Sequence, residues 1–217
     1  MNGAELLIAE AAGVGVDLSH AQVEQFMRYK DLLLEWNKKF NLTAITEERD
    51  IILKHFVDSL TAVPLLPDTP QRVIDVGAGA GFPGIPMKIA RPDIELTLLD
   101  SVKKKTDFLY EAVQALGLGG TAVVRARAEE AGRHEDMRGS YDIAVSRAVA
   151  PLDTLVGWCL PFVKNIGTLF ALKGPGVYAE ADAAARALKQ NGGELTEIRP
   201  THFAGMEHYI AVVRKIK

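Results

Sequence analysis

Val73-Ile74-Asp75-Val76-Gly77-Ala78-Gly79-Ala80-Gly81-Phe82-Pro83-Gly84 decides how this chain folds: an apolar strand runs into a loop almost without side chains, and a helix follows. Such a loop lets a ligand approach the backbone closely, and the helix start offers unpaired N–H groups to it. Pro86 suits the first helical turn. The next apolar run, Ile94-Glu95-Leu96-Thr97-Leu98-Leu99, ends in Asp100, 23 positions beyond Gly77. A carboxylate about 20 residues after a glycine loop can bind both hydroxyls of a ribose. Together the two features describe a site for an adenosine-type ligand at the carboxyl edge of a parallel sheet.

Outward from this core, short apolar runs alternate with helical stretches, the pattern of a parallel sheet covered on both faces. Strands are expected at 72–76, 94–99, 121–125, 141–146 and 167–172, with helices near 84–90, 102–116, 151–160 and 177–190. Two further strands, 194–200 and 207–214, are joined around His202–Met206, too short a link for a crossover, so an antiparallel addition at the edge is expected. Residues 1–70 read as a helical extension without strands, and 71–217 as the sheet domain. Ser19-His20-Ala21-Gln22 forms a capping box before the apolar face of Val23, Phe26, Met27, Leu33 and Leu34. A second helix is expected from Ile52 to Leu65.

Composition narrows the function. With 217 residues, 48% hydrophobic and 24% charged, the chain is neither disordered nor collagenous. Its single cysteine, Cys159, excludes an intrachain disulfide and a CxxC metal site, and fits a reducing cytoplasm. The sequence contains no apolar run of the roughly 18 residues a membrane span needs, and Met1-Asn2-Gly3-Ala4-Glu5 does not read as a signal peptide. A soluble cytoplasmic protein, free of metal and monomeric, is expected. The formal charge of −3 is uneven: residues 1–70 hold 6 Lys+Arg against 11 Asp+Glu, and residues 71–217 hold 19 against 17. A nucleic-acid partner would therefore have to meet a local cationic face. Candidates are Lys38, Lys39, Arg125, Arg127, Arg133 and Arg138. Lys103-Lys104-Lys105 is read first as a solvated face, and Trp36 and Trp158 as core.

The glycine spacing chooses among cofactors. Dinucleotide fingerprints read GxGxxG, whereas this loop reads GxGxG followed by Phe82, as in class I S-adenosylmethionine-dependent methyltransferases. Asp75, two before the first glycine, organises the loop in that class. A nicotinamide dehydrogenase, a small-molecule methyltransferase and a non-enzymatic RNA-binding or assembly factor with a retained nucleoside pocket stay as rivals.

Several blocks in order carry a closer resemblance: Phe40-Asn41-Leu42-Thr43, His55-Phe56-Val57-Asp58-Ser59-Leu60, Asp75 through Pro86, Leu98-Leu99-Asp100-Ser101, Ser146-Arg147-Ala148, Ala171-Leu172-Lys173-Gly174 and His208. Over nearly its whole length the chain resembles the small-subunit ribosomal RNA methyltransferase G family, also called glucose-inhibited division protein B. The resemblance implies a class I α/β fold with about seven mostly parallel strands. It also implies methyl transfer from S-adenosylmethionine to N7 of a guanine in 16S ribosomal RNA, with S-adenosylhomocysteine as product. Cofactor contacts are then expected from Asp75, Gly77, Ala78, Gly79, Gly81, Phe82, Asp100, Ser101, Ala128, Glu129 and Arg147. The acceptor site is expected around Arg147, Lys173, His55 and Asn41. Ala80 stands where some relatives carry proline, which alters loop stiffness more than binding.

Some of these residues also have a reading from position alone. Arg147 and Lys173 follow consecutive strands and belong at the carboxyl edge, where a phosphate or carboxylate can meet them. His55 and Asp58, three apart on one helix, read most simply as a mutual hydrogen bond. Guanine N7 has a free lone pair and no proton, so its methylation needs alignment and exclusion of water but no general base.

Overall fold

The computed structural model describes residues 2–216. Helix α1 (Gly3–Gly13) was not separated from the rest of the extension by sequence, yet Asn2 and Glu5 close a capping box at its start. Helix α2 (His20–Phe40) begins at the expected box, with Ser19 N–H on Gln22 Oε1 at 2.8 Å. The expected helix at 52–65 is instead a composite: α3 (Glu48–Ile51), a π-helical turn (Ile52–Val57), α4 (Asp58–Leu60) and a 3₁₀ turn (Val63–Leu65).

The sheet half alternates as read: β1 (Arg72–Val76), α5 (Gly84–Ala90), β2 (Glu95–Asp100), α6 (Lys103–Ala115), β3 (Thr121–Arg125) and the short α7 (Ala128–Ala131). Then come β4 (Tyr141–Arg147), α8 (Leu152–Cys159), β5 (Val163–Lys173), α9 (Val177–Gln190), β6 (Gly193–Phe203) and β7 (Met206–Lys215). The order across the sheet is β3-β2-β1-β4-β5-β7-β6. Only β7 runs antiparallel to its neighbours β5 and β6. The β6–β7 link is a two-residue turn in which Ala204 and Gly205 both have positive φ, 49° and 74°, the backbone a tight hairpin requires. Both strands consequently run longer than their apolar patterns suggested.

Two apolar layers sandwich the sheet. One joins Leu7, Phe26, Tyr29 and Phe56 of the amino-terminal helices to Val73, Leu98, Phe108 and Val145. The other joins Ile74, Ala144 and Leu169 to Leu155 and Val156 of α8 and Ala184 and Leu188 of α9. The amino-terminal helices thus share a core with the sheet. Polar seams fix their angle: Gln22 Nε2 donates to the carbonyls of Ile89 and Ala90 at 2.8 and 3.1 Å, and Gln25 Nε2 to Leu116 at 2.9 Å. These carbonyls at the ends of α5 and α6 lack partners within their own helices. Among the described residues no helix is long and apolar enough to cross a membrane.

Candidate active site

The glycine loop leaves β1 at the carboxyl edge, and Gly77, Gly79 and Gly81 all have positive φ. At Gly77 the need is strict, since φ is +76° and a Cβ would lie 2.7 Å from Val149 Cγ2. Asp100 at the end of β2 holds the loop from across the cleft. Its Oδ2 accepts Gly79 N–H at 2.9 Å and its Oδ1 accepts Val102 N–H at 2.8 Å. Each carboxylate oxygen has a second lone pair, so both can still accept from ribose hydroxyls.

Asp75 acts from beneath. It is fully buried, its Oδ2 accepts Gly84 N–H at 2.8 Å, and its Oδ1 has no partner among the described residues. Burial pushes its pKa up to about 7, against the pull of the Gly84 N–H and the more distant Arg147. Asp75 and Gly81 therefore shape the loop without lining the cleft. A Cβ on Gly81 would strike Ile85 and the Tyr29 hydroxyl, and that hydroxyl donates to Ala80 O.

The cleft over the loop has a volume of about 440 Å³, within the range of small-molecule sites. It brings together the expected Gly77, Ala78, Gly79, Phe82, Asp100, Ser101, Ala128, Glu129 and Arg147. It also recruits residues that sequence reading left elsewhere. Trp158, read as core, is half-buried at its wall, and Lys105, read as solvated, sits 3.6 Å from Asp100. Asn41 does not line it. That residue is the exposed left-handed cap of α2 (φ 47°), and the neighbouring Leu42 and Thr43 line the cleft instead.

Arg147, at the end of β4, is the junction of the site. Its guanidinium donates to Lys54 O and Asp58 Oδ2, both at 2.8 Å, and to His55 Nδ1 at 3.0 Å, and lies 5.0 Å over the Phe82 ring. Three of these partners come from the π-helical turn and the residue after it, where the extra residue per turn marks a site-forming irregularity. His55 and Asp58 do not bond each other, contrary to the simplest reading of their spacing. Arg147 bridges them.

An arginine has no acceptor, so His55 Nδ1 must accept and the ring proton must sit on Nε2. That nitrogen meets Thr43 Oγ1 at 2.9 Å, and the ring stacks on Phe82 at 4.4 Å. Burial first, and the Arg147 charge second, push His55 down to about 4. His55 is therefore neutral with both nitrogens engaged. Asp58 also binds His208 Nδ1 at 2.7 Å. Its burial would raise its pKa, but His208 and Arg147 outweigh that and hold it below the usual carboxylate range. The same bond raises His208, against its partial burial.

A second cleft of about 640 Å³ adjoins the first, and His55, Arg147, Ala148 and Val149 line both. It contains Lys173 and His208. Lys173, expected at the end of β5 to meet a phosphate or a carboxylate, is buried and meets a carboxylate of its own chain: its Nζ lies 2.6 Å from Ala150 O and 2.7 Å from Glu180 Oε2.

A sheet of this order, with an antiparallel β7 beside β5 and a glycine-cradled cleft at the carboxyl edge, is the class I S-adenosylmethionine-dependent methyltransferase fold. Solved structures share the fold: a SAM-dependent methyltransferase from Aquifex aeolicus has a TM-score of 0.58 at 17% identity, covering 76% of this chain and 93% of that one. TrmN from Thermus thermophilus gives 0.55 at 20%, covering 73% and 49%. Sequence identifies the family. The model of rRNA small subunit methyltransferase G matches residues 22–208. The chain is 47% identical over 216 residues to the Ribosomal RNA small subunit methyltransferase G of Alkaliphilus oremlandii, covering 98% of this chain and 90% of that one. With the protein of the same name from Acetivibrio thermocellus it shares 45% over 215 residues, covering 98% and 88%. This chain belongs to the rRNA small subunit methyltransferase G family.

Proposed function

We propose that this protein transfers the methyl group of S-adenosylmethionine to N7 of a guanine in 16S ribosomal RNA, as a cytoplasmic monomer acting on the RNA or the 30S subunit. The observation that carries the reading is the pair of clefts meeting at Arg147: one is cradled by glycines and Asp100, and the other is a separate chamber with polar corners. The residues of the first cleft fit the cofactor, since a side chain at Gly77 would press on Val149 at the cleft wall. Gly77, Gly79 and Phe82 would hold the nucleoside, Asp100 the ribose, and Ala128 and Glu129 the base. Bound there, S-adenosylmethionine supplies an electrophilic methyl on a sulfonium.

The chain's own part is alignment and exclusion of water. Phe82, His55 and Val149 wall the junction. Asp58 offsets the Arg147 charge there, which reduces repulsion toward a cationic ligand at short range. Neutral His55, with a protonated Nε2 and an occupied Nδ1, has no lone pair to offer a substrate. This supports a mechanism without a general base, as an N7 acceptor permits. The test is transfer of labelled methyl to naked 16S RNA, to 30S subunits and to small-molecule acceptors. Label recovered as 7-methylguanine from the RNA is expected, and label in small molecules alone overturns the reading.

A further inference from the structure

In the second cleft Lys173 and Glu180 form a pair that the methyl-transfer junction does not use. Lys173 donates one N–H to Ala150 O and is ion-paired with Glu180 Oε2 at 2.7 Å. An ammonium has three donors, so at least one is left over. Glu180, in the first turn of α9, uses that same Oε2 for the Leu152 N–H at 2.8 Å, and its Oε1 has no partner among the described residues. A spare donor and a spare acceptor thus stand side by side, held by the starts of two helices and the end of β5. Ile45, Leu172 and Met206 give the same cleft apolar walls suited to the faces of a flat ring.

We propose that Lys173 and Glu180 together read the O6 and N1–H edge of the acceptor guanine, making this pair the determinant of guanine over adenine. The inference rests on the function proposed above. Guanine presents an acceptor, O6, beside a donor, N1–H, which complements the order ammonium then carboxylate. Adenine reverses both, with the N6 amino group as donor and N1 as acceptor, so it would leave both protein groups opposed by like partners. Uracil shows the guanine order but has no ring nitrogen with a free lone pair beside its carbonyl. In guanine N7 is that atom, next to O6 on the side away from N1 and hence away from Glu180. A phosphate fits the pair poorly, because the carboxylate repels it and already compensates the ammonium. Sites that hydrogen-bond a substrate edge can reject the analogue lacking it by large factors.

The experiment is single-turnover methyl transfer to 30S subunits reconstituted with 16S transcripts that carry guanine, inosine, 2-aminopurine or adenine at the nucleotide the wild-type enzyme labels. The expected order for wild type is guanine, then inosine within about tenfold because it keeps O6 and N1–H, then 2-aminopurine and adenine slower by about a hundredfold or more. For Glu180→Gln, whose amide turns the acceptor toward a donor, transfer to guanine falls roughly 10- to 100-fold and the guanine-to-adenine ratio narrows at least tenfold. Calorimetry with S-adenosylhomocysteine should show unchanged affinity. Adenine methylated within tenfold of guanine by wild type overturns the inference, and so does a Glu180→Gln enzyme with the wild-type ratio. The nucleobase series uses the wild-type protein and does not depend on the variant folding. Absence of any label at guanine N7 in wild type instead overturns the proposed function.

Discussion

Replacing Arg147 with alanine tests the junction directly. The Arg147 side chain is 13% exposed and that of Asp58 6%, so their 2.8 Å contact is largely out of water. The substitution leaves Lys54 O and His55 Nδ1 without their donor, and leaves Asp58 with His208 as its one charged partner among the described residues. Removing one member of a buried ion pair costs about 3–5 kcal/mol. Because His208 still offsets the Asp58 charge, the loss should fall near the lower end, about 3 kcal/mol. For a domain of this size that corresponds to a Tm drop of roughly 6–12 °C.

Two further consequences have definite signs. His55 loses a neighbouring positive charge, so its pKa should rise from about 4 while burial keeps it below 6.5. Asp58 loses one of the groups holding its pKa down. A carboxylate with a depressed folded pKa contributes stability above its unfolded value and loses it as pH falls, so acid unfolding of Arg147→Ala should begin at a higher pH than in wild type. Urea unfolding followed by the fluorescence of Trp36 and Trp158, with histidine titration by NMR, reads all three effects. A loss under 1 kcal/mol together with an unmoved His55 would falsify the view of Arg147 as the electrostatic junction.

Asp100→Ala should weaken S-adenosylhomocysteine by about 1.5–3 kcal/mol in calorimetry, since it removes a charged acceptor and also frees the Gly79 N–H it now holds; equal affinity sinks the ribose assignment. Gly77→Ala combines a left-handed backbone, costing roughly 1–2 kcal/mol, with contact against Val149, so cofactor affinity and thermal stability should fall together. His208 has its folded pKa raised by Asp58. Its stabilisation is therefore complete below about 6.5 and is lost as pH rises through the raised value. Comparing urea melts of wild type and His208→Gln at pH 6 and pH 9 should show the larger gap at pH 6, and a gap independent of pH refutes the pairing.

The sequence by itself determined the parts whose cause is local. Five apolar runs with helices between them fix a parallel sheet, because a run apolar on both faces must be covered on both. The glycine loop and the acid after the next strand fix the cofactor edge, since only that backbone leaves space for a nucleoside. Ser19 and Gln22 announce α2, and Asn2 and Glu5 carry the same capping signal for α1.

Pairings between distant segments were decided only by the tertiary structure. Asp58 meets Arg147 and His208 across 89 and 150 residues of chain, and no spacing rule reaches that far. The i,i+3 spacing of His55 and Asp58 suggested a bond that the π-helical turn and a guanidinium from β4 replace. Asn41 carried a polar side chain next to the cleft in sequence, yet its left-handed cap turns the chain so that Leu42 and Thr43 face inward. Lys173 was legible as a strand-end cation, but whether it stands free or neutralised depends on Glu180, which arrives from another element. Charges at a sheet edge are listed by the sequence, and which of them compensate one another follows from burial, where an unpaired charge is costly and the fold must supply a partner.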